Sequence, residues 1–448
     1  MINTIPVAVL VVVGLLAGGS IFLLLWNKPV LVIYIQFGYC CFMRWLISDL
    51  HFPVVIKYLS DFLTIVLFLQ VILKFNTTKN INVRKPMIFI ILFIILGIFS
   101  TAFNSASLLF YIWGARVYLR FYVFFLACVI FLKREDIDKL VNFLLKLLPV
   151  NTVVSLFQYK VMGYEDDYVG GLFGSEKGCN AEMTLYLTLI TIILVVFYLT
   201  KKTDLWYTLI NILMIMLISA ISELKILFII LFLVVLISFF IMFPNRRAVT
   251  ILIVSSVVIV VSFIFFLILY PNWVEMYSTS LGIYEHSVGG NYAGVGSLGR
   301  FTAGSYIFQN LLTETSQKLF GIGFGNADKF LTFSSQYYRR YEVLQYDLFA
   351  YSLILIEIGV IGLVIYCFFF VITSYESVRI RKKINIDHSW YCYVCFIVSV
   401  IVFVLLVYNQ AMQMDAAFLI FFPISFPFIL EKENYEAGIN INTGVTYG

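Results

Sequence analysis

Ala248 to Tyr270 reads AVTILIVSSVVIVVSFIFFLILY, a run without a single charged side chain, entered directly from Arg246 and Arg247. At about 1.5 Å of rise per residue, a helix of this length covers the roughly 30 Å of hydrocarbon in a bilayer. Inside hydrocarbon a helix satisfies its own backbone N–H and C=O groups, so an apolar run of this kind is a membrane span. The pattern recurs along the whole chain. Comparable stretches lie near 5–26, 30–47, 54–73, 87–104, 106–132, 141–161, 181–200, 205–220, 221–243, 346–372, 389–408 and 413–430. With 248–270 they predict an all-α integral membrane bundle of about 12–14 transmembrane helices. The 205–243 run is split at Ser222-Glu223-Leu224-Lys225 because it is far too long for one crossing.

Composition excludes a soluble globule: of 448 residues, 62% are hydrophobic and only 12% charged, more apolar surface than one core can hide. The 45 Phe and 29 Tyr suit aromatic belts at the two interfaces. A net charge of +5 is scattered over short loops and forms no stripe that would engage a nucleic acid. Cys40, Cys41, Cys392 and Cys395 sit in apolar runs and read as buried thiols, with neither metal-ligand spacing nor a disulfide frame. Ile5 to Trp26 lacks a basic leader and a small-residue cleavage site, so it reads as a first span.

Basic residues fix the orientation. Lys74, Lys79, Arg84 and Lys85; Lys133 and Arg134; Lys201 and Lys202; Arg246 and Arg247; and Arg379 to Lys383 all fall on one face when the spans are counted, and that face is expected to be cytoplasmic. Residues 1–270 then hold the first ten spans, 271–345 a large loop on the outer side, 346–430 the C-terminal spans and 431–448 a cytoplasmic tail.

Cations within or beside spans are costly and become functional candidates. Arg116 and Arg120 lie one turn apart on one helix face. Two guanidinium forks side by side suit a diphosphate, with an ion pair or snorkelling as the bland alternative. Lys225 stands at the head of a span, where free N–H groups favour anions; a local pair with Glu223 is the alternative. Asp61, with Lys57 one turn earlier, reads as an intrahelical pair. The long loop carries the glycine-rich segment 289–299, then Arg300, then Phe301 to Phe320 at helical apolar spacing, expected to form an amphipathic surface helix. Leu319-Phe320-Gly321-Ile322-Gly323-Phe324-Gly325-Asn326 follows as a tight turn, where the Gly323 and Gly325 backbone can approach a ligand. With no strand before it, it is not a dinucleotide fingerprint.

Ser297-Leu298-Gly299-Arg300, the helical stretch, the Leu319 to Asn326 turn and Glu357-Ile358-Gly359-Val360-Ile361-Gly362 in the next span resemble, in order and spacing, the O-antigen polymerase and O-antigen ligase superfamily. Gly170-Gly171-Leu172-Phe173-Gly174 before Asn180-Ala181, and Ser222 to Lys225, lie where that family carries related motifs, so the resemblance spans about 106 to 362. It implies a metal-independent glycosyltransferase of the type C fold, without a cofactor, in a bacterial cytoplasmic membrane. Its donor and acceptor would be glycans on undecaprenyl diphosphate, with a chain-length regulator as a possible partner. Arg116, Arg120, Lys225 and Arg300 would steady the departing diphosphate; for Arg300 alone, a solvated loop charge is the alternative.

Ligases of the superfamily place a His near the position of Tyr346-Asp347-Leu348, whereas this chain has only His51, His286 and His388. Its absence favours a repeat-unit polymerase. Asp347 is then the nearest candidate for a general base, with Glu285 and Glu314 behind it and a helix-terminal polar role as the alternative. A flippase for lipid-linked oligosaccharides is the competing non-enzyme reading.

Overall fold

The computed structural model describes residues 19, 21–75, 82–104, 107–242, 246–271, 296–330 and 333–436, and the backbone of two short paired strands at 439–440 and 445–446. The chain is a polytopic helical membrane protein. Among the described residues, nine helices are long and apolar enough to cross a bilayer. They are α1 (Pro29–Ser48), α2 (Val54–Lys74), α3 (Arg84–Phe103), α4 (Leu108–Phe131), α5 (Arg134–Lys160), α6 (Asn180–Leu199), α9 (Arg246–Leu269), α10 (Ala350–Arg381) and the helix through Ser389–Tyr408, α11. The shorter apolar helices α7 (Leu205–Ile221) and α8 (Ile226–Met242) flank the polar turn expected at 222–225. Most of the 5–26 stretch and the glycine-rich 289–295 segment lie outside the described residues, as do Glu285 and His286.

Burial sorts the helices. The apolar window of α6 is 94% buried and that of α9 only 28%, so α6 is the axis of the bundle and α9 belongs to its lipid-facing rim. Aromatic rings fill the space between α4, α10 and the C-terminal helices, with Tyr122 edge-on to Phe369 at 5.0 Å and Phe121 edge-on to Phe418 at 4.9 Å.

Connections gather at two ends. At one end Asn82 binds Glu431, Arg134 binds Glu433 and His388, Tyr391 binds Asp138, and the Lys432 ammonium donates to the carbonyl of Leu132 at 2.7 Å. At the other, the Ser175 N–H donates to Ser48 Oγ, Asn180 donates to the Ser222 carbonyl, Tyr270 to that of Ile221, and the Ala350 N–H to that of Asn409. The described basic connections fall at the first end, as an up-and-down alternation of spans requires.

Three expectations are corrected. Residues 413–430 do not form one continuous helix: the segment passes between the two ends as helices Phe418–Ile424 and Phe426–Glu436, which meet at a break beside Pro423 and Pro427, residues that carry no amide hydrogen. The stretch from Phe301 to Phe320 is no single amphipathic helix but short turns at Ala303–Tyr306, Ile307–Leu311 and Thr315–Phe320. It is interrupted where Glu314 caps the third piece with its own side chain. Asp61 pairs with Arg116 of α4, not with Lys57.

Candidate functional site

A groove of about 730 Å³ runs along α2, α3 and α4, from Phe75 and Ile90 toward the second end of the bundle, where Tyr58, Asp61 and Arg116 lie. Its walls are apolar, among them Ile65, Phe68, Ile72, Ile90, Ile94 and Leu126, and its charged terminus is made by Arg116, Asp61 and Arg120 beside Tyr58 and Trp113. The one-turn spacing on α4 puts both guanidinium groups on this wall, as the sequence indicates. Their surroundings differ. Arg116 pairs with Asp61, lies 4.8 Å from the Trp113 ring centre, and is 31% exposed. Arg120 is buried, reaching Asp415 at 2.6 Å and the Gln413 carbonyl at 2.8 Å.

Beside them Arg44 of α1 pairs with Glu182 at the head of α6, which also accepts the Ala416 N–H at 3.2 Å. Three arginines thus face three carboxylates, a charge-balanced set that links α1, α2, α4, α6 and the Gln413 to Asp415 turn. The Nε atoms of Arg116 and Arg120 and Oδ1 of Asp61 are buried without hydrogen-bond partners. Two donors at the groove's charged end are therefore unpaired, and an unpaired buried donor is costly unless something accepts from it.

The Leu319 to Asn326 turn does not stand out in solvent but folds into the bundle. Ile322 and Gly323 donate to the carbonyls of Ile356 and Glu357 at 2.9 and 2.8 Å, and the Gly325 N–H donates to Glu357 Oε1 at 2.7 Å. This is possible because α10 is broken at Gly359, whose φ of 67° and ψ of −173° are closed to residues with a side chain. Gly325, at φ 71°, lies so close to α4 that a Cβ there would sit 2.2 Å from the Phe110 carbonyl oxygen. The amides of Gly323 and Gly325 are thus spent on the protein. Phe324 drives its ring against Phe93 and Tyr118 at 5.5 and 5.3 Å, and Tyr118 donates to Glu357 at 3.0 Å.

The turn delivers Asp328, which sequence reasoning missed. Burial and the neighbouring Asp347 carboxylate push it up to about 7, against the Lys329 N–H and the charges of Arg116 and Lys329. Asp347, in the short turn before α10, is also raised by burial, with Lys329 opposing. A hairpin follows, closed by Phe330 N–H to the Phe333 carbonyl at 2.8 Å, and both rings rest on Trp113 with centres 6.1 Å away. The signal in the sequence was position alone: Asp328 is the first carboxylate after the glycine turn.

Lys225 and Arg300 form a separate cationic centre. Lys225 pairs with Glu223 at 3.1 Å, which two residues of a helix could not do; Glu223 is left-handed, so this is a turn. Burial lowers Lys225 to about 8, with Glu223 opposing and Arg300 adding to the fall. Arg300 lies 4.5 Å from the Tyr408 ring centre, and its carbonyl accepts from Tyr351 at 2.6 Å. Arg116 and Arg120 line the groove and Arg300 does not. Of the other candidate bases, Glu314 is an exposed helix cap. Among the described residues no group of His, Cys, Asp and Glu could hold a metal ion. All seven cysteines are free thiols.

Comparison with protein-family models, curated proteins and solved structures gives no match. The functional reading therefore stands on the chemistry of the groove and on the sequence motifs.

Proposed function

We propose that the protein is a membrane glycosyltransferase that polymerises undecaprenyl-diphosphate-linked repeat units into a surface polysaccharide, on the outer side of a bacterial cytoplasmic membrane. The observation that carries this reading is the groove: a long apolar trough that ends in arginines. An apolar trough with guanidinium groups at its end complements a polyprenyl diphosphate, with the tail along Phe68, Ile72 and Leu126 and the head exchanging with Asp61 at Arg116. As the anomeric C–O bond breaks, charge builds on the leaving diphosphate. A guanidinium fixed in a low-dielectric site stabilises that charge without a metal. Asp61 holds Arg116 in place until the substrate's own anion competes for it. With the basic end of the bundle cytoplasmic, the groove's head and the 296–345 segment face outward.

A second reading has its own support. Three neighbouring ion pairs, Arg44 with Glu182, Arg120 with Asp415 and Arg116 with Asp61, would suit a transporter that moves a lipid-linked anion. Transfer of the glycan to another acceptor, as in a ligase, fits the same groove. The readings separate in liposomes containing only the purified protein and a lipid-linked repeat unit, with no gradient or nucleotide. Lengthened glycans support the polymerase. Relocation of the donor between leaflets without lengthening supports the transporter and sinks the polymerase.

A further inference from the structure

We infer that Asp328 is the catalytic base of this glycan transfer, taking the proton from the acceptor hydroxyl, and that Asp347 is its positioning partner. The inference rests on the reading of the groove as a lipid diphosphate site. Asp61 lines the groove's charged end but is taken up by Arg116; Asp328 is not a lining residue and lies beside that end, near enough to Arg116 to feel its charge. Its own carboxylate accepts the Lys329 N–H at 2.7 Å, and its carbonyl accepts the Ser335 N–H at 3.2 Å, which fixes the start of the hairpin whose Phe330 and Phe333 pack on the groove residue Trp113. Upstream, the Asp328 N–H donates to the Gly325 carbonyl, and Gly325 is tied to Glu357. The loop is thus clamped on both sides of the carboxylate. The charged and titratable groups that face it are Arg116 and Tyr118 from α4, Glu357 from α10, Tyr346 and Asp347 from the turn before α10, and Lys329 beside it.

The step balances within the two substrates. The acceptor O–H loses its proton to Asp328, and the oxygen forms the new bond to the anomeric carbon. The bond from that carbon to the phosphate oxygen breaks, and its electron pair leaves on the polyprenyl diphosphate beside Arg116. A base of this kind has to be unprotonated to act, and near neutrality it is poised to do so.

The test uses purified full-length protein in liposomes, with glycan transfer and binding of a radiolabelled polyprenyl diphosphate measured side by side. Asp328→Asn is expected to lower transfer roughly 10²–10⁴-fold while binding stays within about threefold, since a neutral amide preserves shape but accepts no proton. The wild-type rate rises with pH through neutrality. Asp347→Asn removes the charge that holds Asp328 up, so its rate should rise at lower pH than wild type. A wild-type rate from Asp328→Asn overturns the inference, and so does joint loss of binding and transfer, which would make Asp328 structural. A wild-type protein that neither binds the diphosphate nor transfers removes the function reading itself, an outcome visible without any variant.

Discussion

Arg120→Met tests whether Arg120 serves to hold the bundle together, in contrast to Arg116 at the proposed diphosphate site. Arg120 and Asp415 are each 9% exposed in side chain and meet at 2.6 Å, and Arg120 also donates to the Gln413 carbonyl. Removing one member of a buried pair leaves the other charged and unpaired, at a cost of about 3–5 kcal/mol. The double variant Arg120→Met, Asp415→Leu removes both charges and strands only the Gln413 carbonyl, which costs about 1–3 kcal/mol. Both variants strand that carbonyl and only the single leaves a buried charge, so the double variant should be the more stable by about 3–5 kcal/mol. Arg116, at 31% exposure, should lose less when changed to Met. The cysteines supply the assay: Cys40, Cys41, Cys128, Cys179, Cys392 and Cys395 are buried free thiols, so a thiol-reactive dye lights up as the detergent-solubilised protein unfolds on heating. An Arg120→Met protein as stable as wild type, or a double variant no better than the single, would refute the assignment.

Gly359→Ala puts a side chain into a conformation closed to it and 2.3 Å from the Leu319 carbonyl oxygen. It should cost at least about 1–3 kcal/mol, and transfer should collapse while circular dichroism keeps its helical signal, because the turn that carries Asp328 no longer docks. Cysteine probes at the exposed Glu314 and Lys382 test sidedness in intact cells: the first should react with an impermeant maleimide and the second should not, and the reverse pattern would invert the topology. Because Arg300 does not line the groove, Arg300→Ala should slow transfer much less than Arg116→Ala; a loss of roughly 10²–10³-fold, typical of one transition-state donor and read from the ladder of glycan lengths, would return Arg300 to the diphosphate site.

Hydropathy made the spans legible because backbone satisfaction in lipid leaves few alternatives to a helix, and the division at Ser222 to Lys225 held for the same reason. It misplaced ends wherever polar residues cap a helix. α5 begins at Arg134 rather than near 141 because Asp136 accepts the Lys133 N–H at 2.9 Å, a local bond that hydropathy does not weigh. The two glycine motifs, at 321–325 and 357–362, read as separate segments but form one unit, since Gly325 N–H and Glu357 meet across 32 residues of chain. The spacing of Arg116 and Arg120 revealed a shared face, while their carboxylate partners come from other helices and could not be paired from one sequence. Asp328 escaped notice because its meaning depends on the glycine turn entering the bundle, and turn chemistry alone leaves that direction open.

Photocrosslinking tests the central claim, that the groove holds a polyprenyl diphosphate, most directly. A polyprenyl diphosphate bearing a photoreactive group in its tail is bound to the protein in liposomes, irradiated, and its adducts mapped by mass spectrometry. The account predicts adducts on Phe68, Ile72, Ile94 and Leu126 of the groove walls, competed by unlabelled polyprenyl diphosphate and weakened by Arg116→Ala. Adducts concentrated on the lipid-facing rim of α9, or unaffected by competitor and by Arg116→Ala, would contradict it.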